Sequence, residues 1–376
     1  MKYYIIAGEA SGDLHGSNLI KELKQKDTQA QFRFWGGDLM AEQAGCQPVK
    51  HYSQMAFMGF IKVAMNLRTI GKNIKKCKAD IVDYNPDCVI LIDFAGFNLR
   101  IAKFAKQIGL RTIFYISPKI WAWKQNRIKK IKKYIDKMLT ILPFETEFYQ
   151  KFDYEVEYVG NPILDAIKAH QCADTEEMFR AKHGLSNKPI IGLLAGSRKQ
   201  EITFMLPIML EASRQFPNYQ FVVSGAPGVD KEFYSRVMEN ANVPIVYNQT
   251  YDLLQFCHAA LVTSGTATLE TALFSVPQVV CYKTVAPDWA YRIARNFLKV
   301  KWVSLVNLIA NREVVKELVQ IDFKTPIVVE ELRKITESGQ PREKMLEGYA
   351  YLHKRMGEVG ASAQAAQAVV RFMNKK

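Results

Sequence analysis

Twice along its 376 residues the chain repeats one alternation, in which a short β-branched apolar run is followed by an amphipathic stretch of helical period. The first series has strand-like runs at Tyr3 to Ala7, Gln31 to Trp35, Cys88 to Asp93, Arg111 to Ile116 and Met138 to Leu142. Helical patterns over Asp13 to Lys24, Asn98 to Gln107 and Lys124 to Tyr134 lie between them. Strands joined through helices run parallel, and a parallel sheet needs helices on both faces. The pattern resets between Gly160-Asn161-Pro162 and Lys188-Pro189, and a second series follows at Ile190 to Leu194, Gln220 to Val223, Pro244 to Tyr247, Ala259 to Thr263 and Gln278 to Cys281. After Pro326 the chain reads as helical to its end, with Ala361 to Phe372 a strong final helix. The predicted class is α/β: two Rossmann-like doubly wound domains over 1–165 and 166–345, with C-terminal helices over 346–376 that pack back on an N-terminal domain. Two such domains in series place a cleft between the carboxyl ends of two parallel sheets, where open α/β folds bind ligands.

Several classes are disfavoured at once. The apolar run at the N-terminus is too short for a signal peptide and passes straight into Gly8-Glu9, and no apolar stretch reaches the length of a bilayer span. Six scattered cysteines without a Cys-x-x-Cys pair indicate neither a disulfide frame nor a zinc site and fit buried thiols in a reducing cytosol. No metal site and no cofactor is expected. The net charge of +14 is unevenly spread: no acid occurs between Glu42 and Asp80, and Lys119 to Lys137 holds eight Lys or Arg against the single acid Asp136. Such a face attracts nucleic acid, anionic headgroups or a phosphorylated substrate.

Loops that follow strands carry the candidate chemistry. Gly8-Glu9-Ala10-Ser11-Gly12-Asp13 lacks the dinucleotide fingerprint, yet its small residues admit a ligand to the backbone while Glu9, Ser11 and Asp13 offer polar contacts. Ser11 or Asp13 also suits a helix cap. Asp93, at the end of a central strand beside Phe94 and Phe97, suits a general base of raised pKa, with Asn98 the better cap for the helix that follows. Trp121 and Trp123, flanked by lysines, suit the wall of an acceptor pocket, with core packing enough to explain one of them and nucleic-acid stacking the rival reading. In Gly196-Ser197-Arg198 a guanidinium at a small-residue turn suits a diphosphate leaving group without a metal, the competing reading being a surface pair of Arg198 with Glu201. Ser264-Gly265-Thr266-Ala267-Thr268-Leu269-Glu270 follows an apolar strand and opens a helix, offering bare N–H groups to a diphosphate, with Glu270 one turn in for ribose hydroxyls. The plain alternative is an ordinary helix start.

In this order the motifs resemble lipid-A-disaccharide synthase, a bacterial inverting glycosyltransferase of GT-B architecture. The likeness runs over nearly the whole chain and includes the Gly8 to Asp13 loop, Ile92-Asp93 with Phe97-Asn98, Ser117-Pro118 with Trp121-Ala122-Trp123, Leu142-Pro143-Phe144-Glu145, Gly196-Ser197-Arg198 with Glu201, Ser264 to Glu270, and Val303-Ser304-Leu305 with Asn307-Leu308. The resemblance implies transfer of a 2,3-diacylated glucosamine from UDP to the 6-hydroxyl of 2,3-diacylglucosamine 1-phosphate, giving a β-1,6 disaccharide and UDP. It implies that Asp93 is the general base, with Glu9 and Ser11 beside it, that Arg198 and the Thr266 helix end stabilise departing UDP, and that Asn307 contacts the donor. Gly96 stands where the family commonly has a second Asp, Ala195 where it has Pro, and Val306 where it has another Pro.

Lipid substrates would also account for the charge. Met55 to Met65, with Phe57, Met58, Phe60 and Ile61, is strongly apolar, and Lys72, Lys75 and Lys76 follow, a split suited to dipping into a leaflet while lysines meet phosphates. A core helix with a solvated end explains the same pattern. The resemblance implies peripheral association with the inner face of the inner membrane, no nucleic-acid partner, and leaves a homodimer open. The rival function is a soluble enzyme of the same architecture acting on UDP-N-acetylglucosamine, such as an epimerase.

Overall fold

A computed structural model of the chain describes residues 1–55, 67–239, 241–284 and 300–375. The chain divides into two compact units, Met1–Asp165 with Glu358–Lys376, and Ala166–Gly357. The helix Gln340–Met356 therefore belongs to the second unit and the helix Ala361–Asn374 to the first.

The first unit holds a seven-stranded parallel sheet made of β1 (Lys2–Ala7), β2 (Gln31–Gly36), β3 (Lys50–His51), β4 (Cys88–Ile92), β5 (Arg111–Tyr115), β6 (Lys137–Thr140) and β7 (Glu157–Tyr158). Its order is β3-β2-β1-β4-β5-β6-β7. Chain order reverses between β1 and β4, which makes the carboxyl ends of these two strands the topological switch point. From Tyr3 to Ala7 every residue of β1 is fully buried, because both sheet faces are covered. Tyr4 and Ile6 face one core with Val89, Leu91, Ile101 and Ile131. Tyr3, Ile5 and Ala7 face the other, with Leu19, Ile20 and Leu23 of the helix Ala10–Lys26 and with Ala365, Ala366, Ala368 and Val369 of the final helix.

The final helix is fixed at both ends. Arg111 donates to the carbonyls of Phe372 and Met373 at 3.0 and 2.9 Å and to Lys375 at 2.8 Å, placing a guanidinium where the helix leaves its last carbonyls unpaired. At the other end the Gly360 N–H donates to Asp165, and Gly160, at φ +84°, leaves only 3.4 Å between a notional Cβ and Ala361.

The second unit holds a six-stranded parallel sheet of β8 (Ile190–Leu194), β9 (Gln220–Gly225), β10 (Ile245–Tyr247), β11 (Cys257–Thr263), β12 (Gln278–Tyr282) and β13 (Lys316–Val319), in the order β10-β9-β8-β11-β12-β13. Its switch point lies between β8 and β11. The helix Gln340–Met356 is held to it by Gln278, whose amide donates to the Tyr349 hydroxyl at 3.3 Å. Thus both sheets are Rossmann-like and the C-terminal region is largely helical. All six cysteines are free; Cys46 is exposed, against the expectation of buried thiols, because it sits in the irregular chain just past the helix Asp38–Ala44. Among the described residues no helix is long and apolar enough to cross a membrane.

Candidate active site

In each unit the candidate loops gather at the switch point. Ala7 of β1 pairs with Ile92 of β4, so Gly8-Glu9 and Asp93-Phe94 leave the sheet side by side. The Phe94 ring lies where a Cβ on residue 8 would stand, 2.4 Å away, so only glycine admits this approach. Asp93 and Phe94 both take positive φ, +42° and +44°, a sharp exit for non-glycine residues of the kind found at functional sites. Burial holds the Asp93 carboxyl above the ordinary carboxylate range and the neighbouring Glu9 charge adds to this, while Lys119 and the Phe94 N–H pull the other way.

Capping in this unit differs from expectation. Glu9 occupies the N-cap of the helix Ala10–Lys26 without a side-chain bond, and Ser11 is exposed. Buried Asp13 instead caps another helix: it accepts the N–H groups of Gly37, Leu39 and Met40 at 2.6, 3.2 and 3.2 Å, at the start of the helix Asp38–Ala44. Nor does Asn98 cap. The helix already begins at Ala95, and the fully buried Asn98 amide donates to the carbonyls of Ile92 and Asp93 at 3.1 and 2.8 Å, fastening the strand end beneath the base.

The two tryptophans part company. Trp121 is buried and its indole N–H donates to Glu145 at 3.2 Å; Trp123 is 44% exposed with the Lys124 ammonium 4.2 Å from its ring centroid. A pocket wall built from both is not what the structure has, since Trp121 is spent on the core. Glu145, to which the sequence reading gave no role, is the hub of this loop. It accepts the Ser117 hydroxyl at 2.6 Å and the Leu142 N–H at 3.0 Å, and burial pushes its carboxyl up to about 7.

In the second unit Leu194 of β8 pairs with Val262 of β11, which sets the Gly196 turn beside Thr263-Ser264. Gly196 takes φ +113°, and Glu201 turns back over it to accept the Ser197 and Arg198 N–H groups at 3.0 and 3.3 Å. Arg198 does pair with Glu201, at 3.6 Å, as three residues along a helix allow, yet its side chain is 65% exposed and such a pair holds it weakly. Across the turn, Gly265 at the N-cap has no side-chain cap. Among the described residues no acceptor meets the N–H groups of Thr266 and Ala267. Glu270 accepts the Tyr251 hydroxyl at 2.8 Å; burial raises its carboxyl and this bond opposes the rise.

Asn307 does not offer itself to a ligand. It is fully buried, its amide donating to the Val315 carbonyl and Glu317 at 2.8 and 2.9 Å and accepting the N–H groups of Val314 and Val315 at 2.7 and 3.0 Å. All four of its hydrogen-bonding positions are filled. Glu317, missed because β13 has no strong apolar signal, also accepts the Val303 and Ser304 N–H groups at 2.9 and 3.0 Å, and the Val303 carbonyl accepts the Ser264 hydroxyl at 2.9 Å. Asn307 and Glu317 therefore position the helix start through Ser264. Of the leaflet residues, Phe57, Met58, Phe60 and Ile61 lie outside the described residues, while Lys72, Lys75 and Lys76 are exposed on the helix Leu67–Tyr84. Among the described residues no three of His, Cys, Asp or Glu group as metal ligands would.

Residues 3–369 match the profile of the lipid-A-disaccharide synthetase family. The lipid-A-disaccharide synthase of Myxococcus xanthus is 37% identical over 376 residues, spanning 98% of this chain and 97% of the relative. The chain belongs to this family. That of Psychromonas ingrahamii is also 37% identical, over 99% of this chain and 98% of its own. Family membership makes the chain a glycosyltransferase of lipid A disaccharide synthesis. Solved structures share the fold at low identity. A UDP-N-acetylglucosamine 2-epimerase from Listeria monocytogenes, described as putative, superposes with TM-score 0.68 at 13% identity, covering 100% of this chain and 97% of that one. The Neisseria meningitidis UDP-GlcNAc 2-epimerase bound to UDP-GlcNAc gives 0.63 at 14%, with both chains covered in full. The calicheamicin glycosyltransferase gives 0.62 at 13%, covering 100% and 98%. The chain thus has the GT-B architecture, and its family is that of the synthases it matches along nearly its whole length.

Proposed function

We propose that the chain condenses UDP-2,3-diacylglucosamine with 2,3-diacylglucosamine 1-phosphate, inverting the anomeric carbon to give the β-1,6 disaccharide 1-phosphate and UDP. The observation that carries the reading is Asp93: a carboxyl of raised pKa, at a switch point, on a strained strand exit that Gly8 and Asn98 are built to support. In the reaction Asp93 takes the proton of the acceptor 6-hydroxyl as that oxygen bonds to the donor C1, and the C1–O bond to UDP breaks with its electron pair leaving on the diphosphate. Glu9 and Ser11 flank the acceptor, and the exposed ring of Trp123 offers it a face.

The donor belongs to the second unit. The Thr266 and Ala267 N–H groups and the helix dipole meet the diphosphate, Arg198 neutralises the charge that grows on it, Glu201 shapes the turn, and Glu270 takes ribose hydroxyls. The Neisseria epimerase, which shares the fold and is bound to UDP-GlcNAc, supports a UDP-sugar as the donor. The first unit takes the acceptor and meets the cytoplasmic face of the inner membrane peripherally, through Lys72, Lys75 and Lys76.

Purified protein with both acylated substrates should release UDP and form a disaccharide whose new linkage is β by proton NMR. An α linkage would sink the single displacement. Turnover of non-acylated UDP-N-acetylglucosamine with no disaccharide would sink the transferase reading.

A further inference from the structure

A cavity of about 520 Å³ in the first unit runs along the helix Ala95–Gln107, away from the catalytic turn. Lys78, Arg100, Lys103, Arg127 and Lys130 line it, and among the described residues no carboxylate does. Among the described residues none of the five is in an ion pair; the Lys78 ammonium lies instead 5.0 Å from the centroid of the Phe104 ring, part of a floor completed by Ile74 and Leu99. Five like charges around one hollow repel each other, and an anion of two charges relieves that repulsion. The cavity starts at Ala95 and Gly96, directly after Asp93 and Phe94, and helix rise places Arg100 and Lys103 roughly 8 and 12 Å along the axis from Ala95. Arg100 and Gly96 also border a smaller apolar pocket of about 150 Å³ lined by Met55, Ile70, Phe94 and Phe97. A guanidinium thus stands where apolar and basic hollows meet, on the helix that follows the base.

We propose that this cavity is the acceptor's phosphate site, with Arg100 and Lys103 reading a phosphomonoester on an acylated sugar. The inference rests on the proposed reaction, because the 6-hydroxyl and the 1-phosphate lie at opposite ends of one pyranose, and a base at Asp93 requires cations about a sugar's length away. Arg offers a two-pronged contact to phosphate and Lys a point charge. The floor of Ile74, Leu99 and Phe104 gives the apolar part of the same molecule somewhere to lie.

The test compares diacylglucosamine 1-phosphate with diacylglucosamine as acceptors for the wild type and for Arg100→Gln/Lys103→Gln, two exposed changes, with Arg100→Lys as the charge-keeping control. For the phosphorylated acceptor the double variant should raise KM about tenfold to a hundredfold, the loss of one or two charge-assisted bonds, with little change in kcat or in the donor KM. Its KM for the dephosphorylated acceptor should hardly move, and Arg100→Lys should recover part of the loss. An unchanged preference for the phosphorylated acceptor overturns the proposal, as does an equal loss toward both. Sedimentation with phosphatidylcholine vesicles, with and without phosphatidylglycerol, separates a second source of phosphate. Loss of vesicle binding in the double variant with acceptor KM intact would assign the cations to the membrane surface and overturn the acceptor site. If the wild type transfers to neither acceptor, the reaction itself is wrong. Calorimetric titration of the acylated sugar phosphate then judges the cavity alone: about tenfold weaker binding to the double variant supports it and equal binding overturns it.

Discussion

The Ser117 hydroxyl donates to the Glu145 carboxylate at 2.6 Å inside a core where Glu145 is 1% exposed. Burial raises that carboxyl from 4.5 to about 7, so the folded chain keeps a proton that the unfolded chain releases. Stability from this group is full below the unfolded pKa near 4.5, falls as pH rises, and levels off above about 7. Glu145→Gln should remove this slope. Between pH 4.5 and 7 the thermal midpoint of the variant should gain on the wild type by the equivalent of about 1–3 kcal/mol, read from tryptophan fluorescence. Parallel midpoints across the range would show that Glu145 does not titrate there.

Asp93→Asn should lower kcat by about 10²- to 10⁴-fold while UDP binding, measured by calorimetry, persists. A base works deprotonated, so wild-type activity should fall as pH drops through the Asp93 pKa. Because that pKa is raised, the fall should begin above the ordinary carboxylate range. An Asp93→Asn enzyme of near-normal rate would end the base assignment.

Arg198→Ala should weaken UDP binding by about tenfold to a hundredfold, and Glu270→Ala by about tenfold. Tyr251→Phe removes the hydroxyl bonded to Glu270 and should give a smaller loss in the same titration. Unchanged affinity in Arg198→Ala and Glu270→Ala would move the donor out of the second unit.

Glu317→Ala removes the acceptor for the Val303 and Ser304 N–H groups and for the Asn307 amide. It should cost about 2–4 kcal/mol in denaturant unfolding. Glu317→Gln, milder in stability, should still raise the donor KM through Ser264. A variant that unfolds sooner but binds UDP normally would leave Glu317 a purely structural clamp.

Asp13→Ala strips three N–H groups at the start of the helix Asp38–Ala44 of their acceptor. The expected loss is about 2 kcal/mol, the upper range for a cap, because the site is buried. Asp13→Asn should recover part of it.

Long, periodic elements were legible in the chain. Every strand expected from an apolar run is present, because a doubly covered parallel sheet leaves its signature in β-branched residues. The two-residue edge strands β3 and β7 and the polar-flanked β13 were not, since pairing with a neighbour, rather than their own residues, makes them strands. Site loops were placed correctly at strand ends, but the work of individual polar side chains was not. Asp13 serves Gly37, Asn307 serves Val315 and Glu317, and Trp121 serves Glu145. Each partner lies in another element, beyond the reach of local spacing. The final helix was evident from its pattern, but which surface its alanine-rich face meets is a tertiary fact.

That return of the chain has a consequence in time. The helix Ala361–Asn374 supplies Ala365, Ala366, Ala368 and Val369 to the core that Leu19, Ile20 and Leu23 begin. On a ribosome adding about 5–20 residues per second, the residues between take roughly 17 to 70 seconds to make. For that interval one apolar flank of the first helix waits uncovered, and the part of the molecule synthesised first is the part completed last.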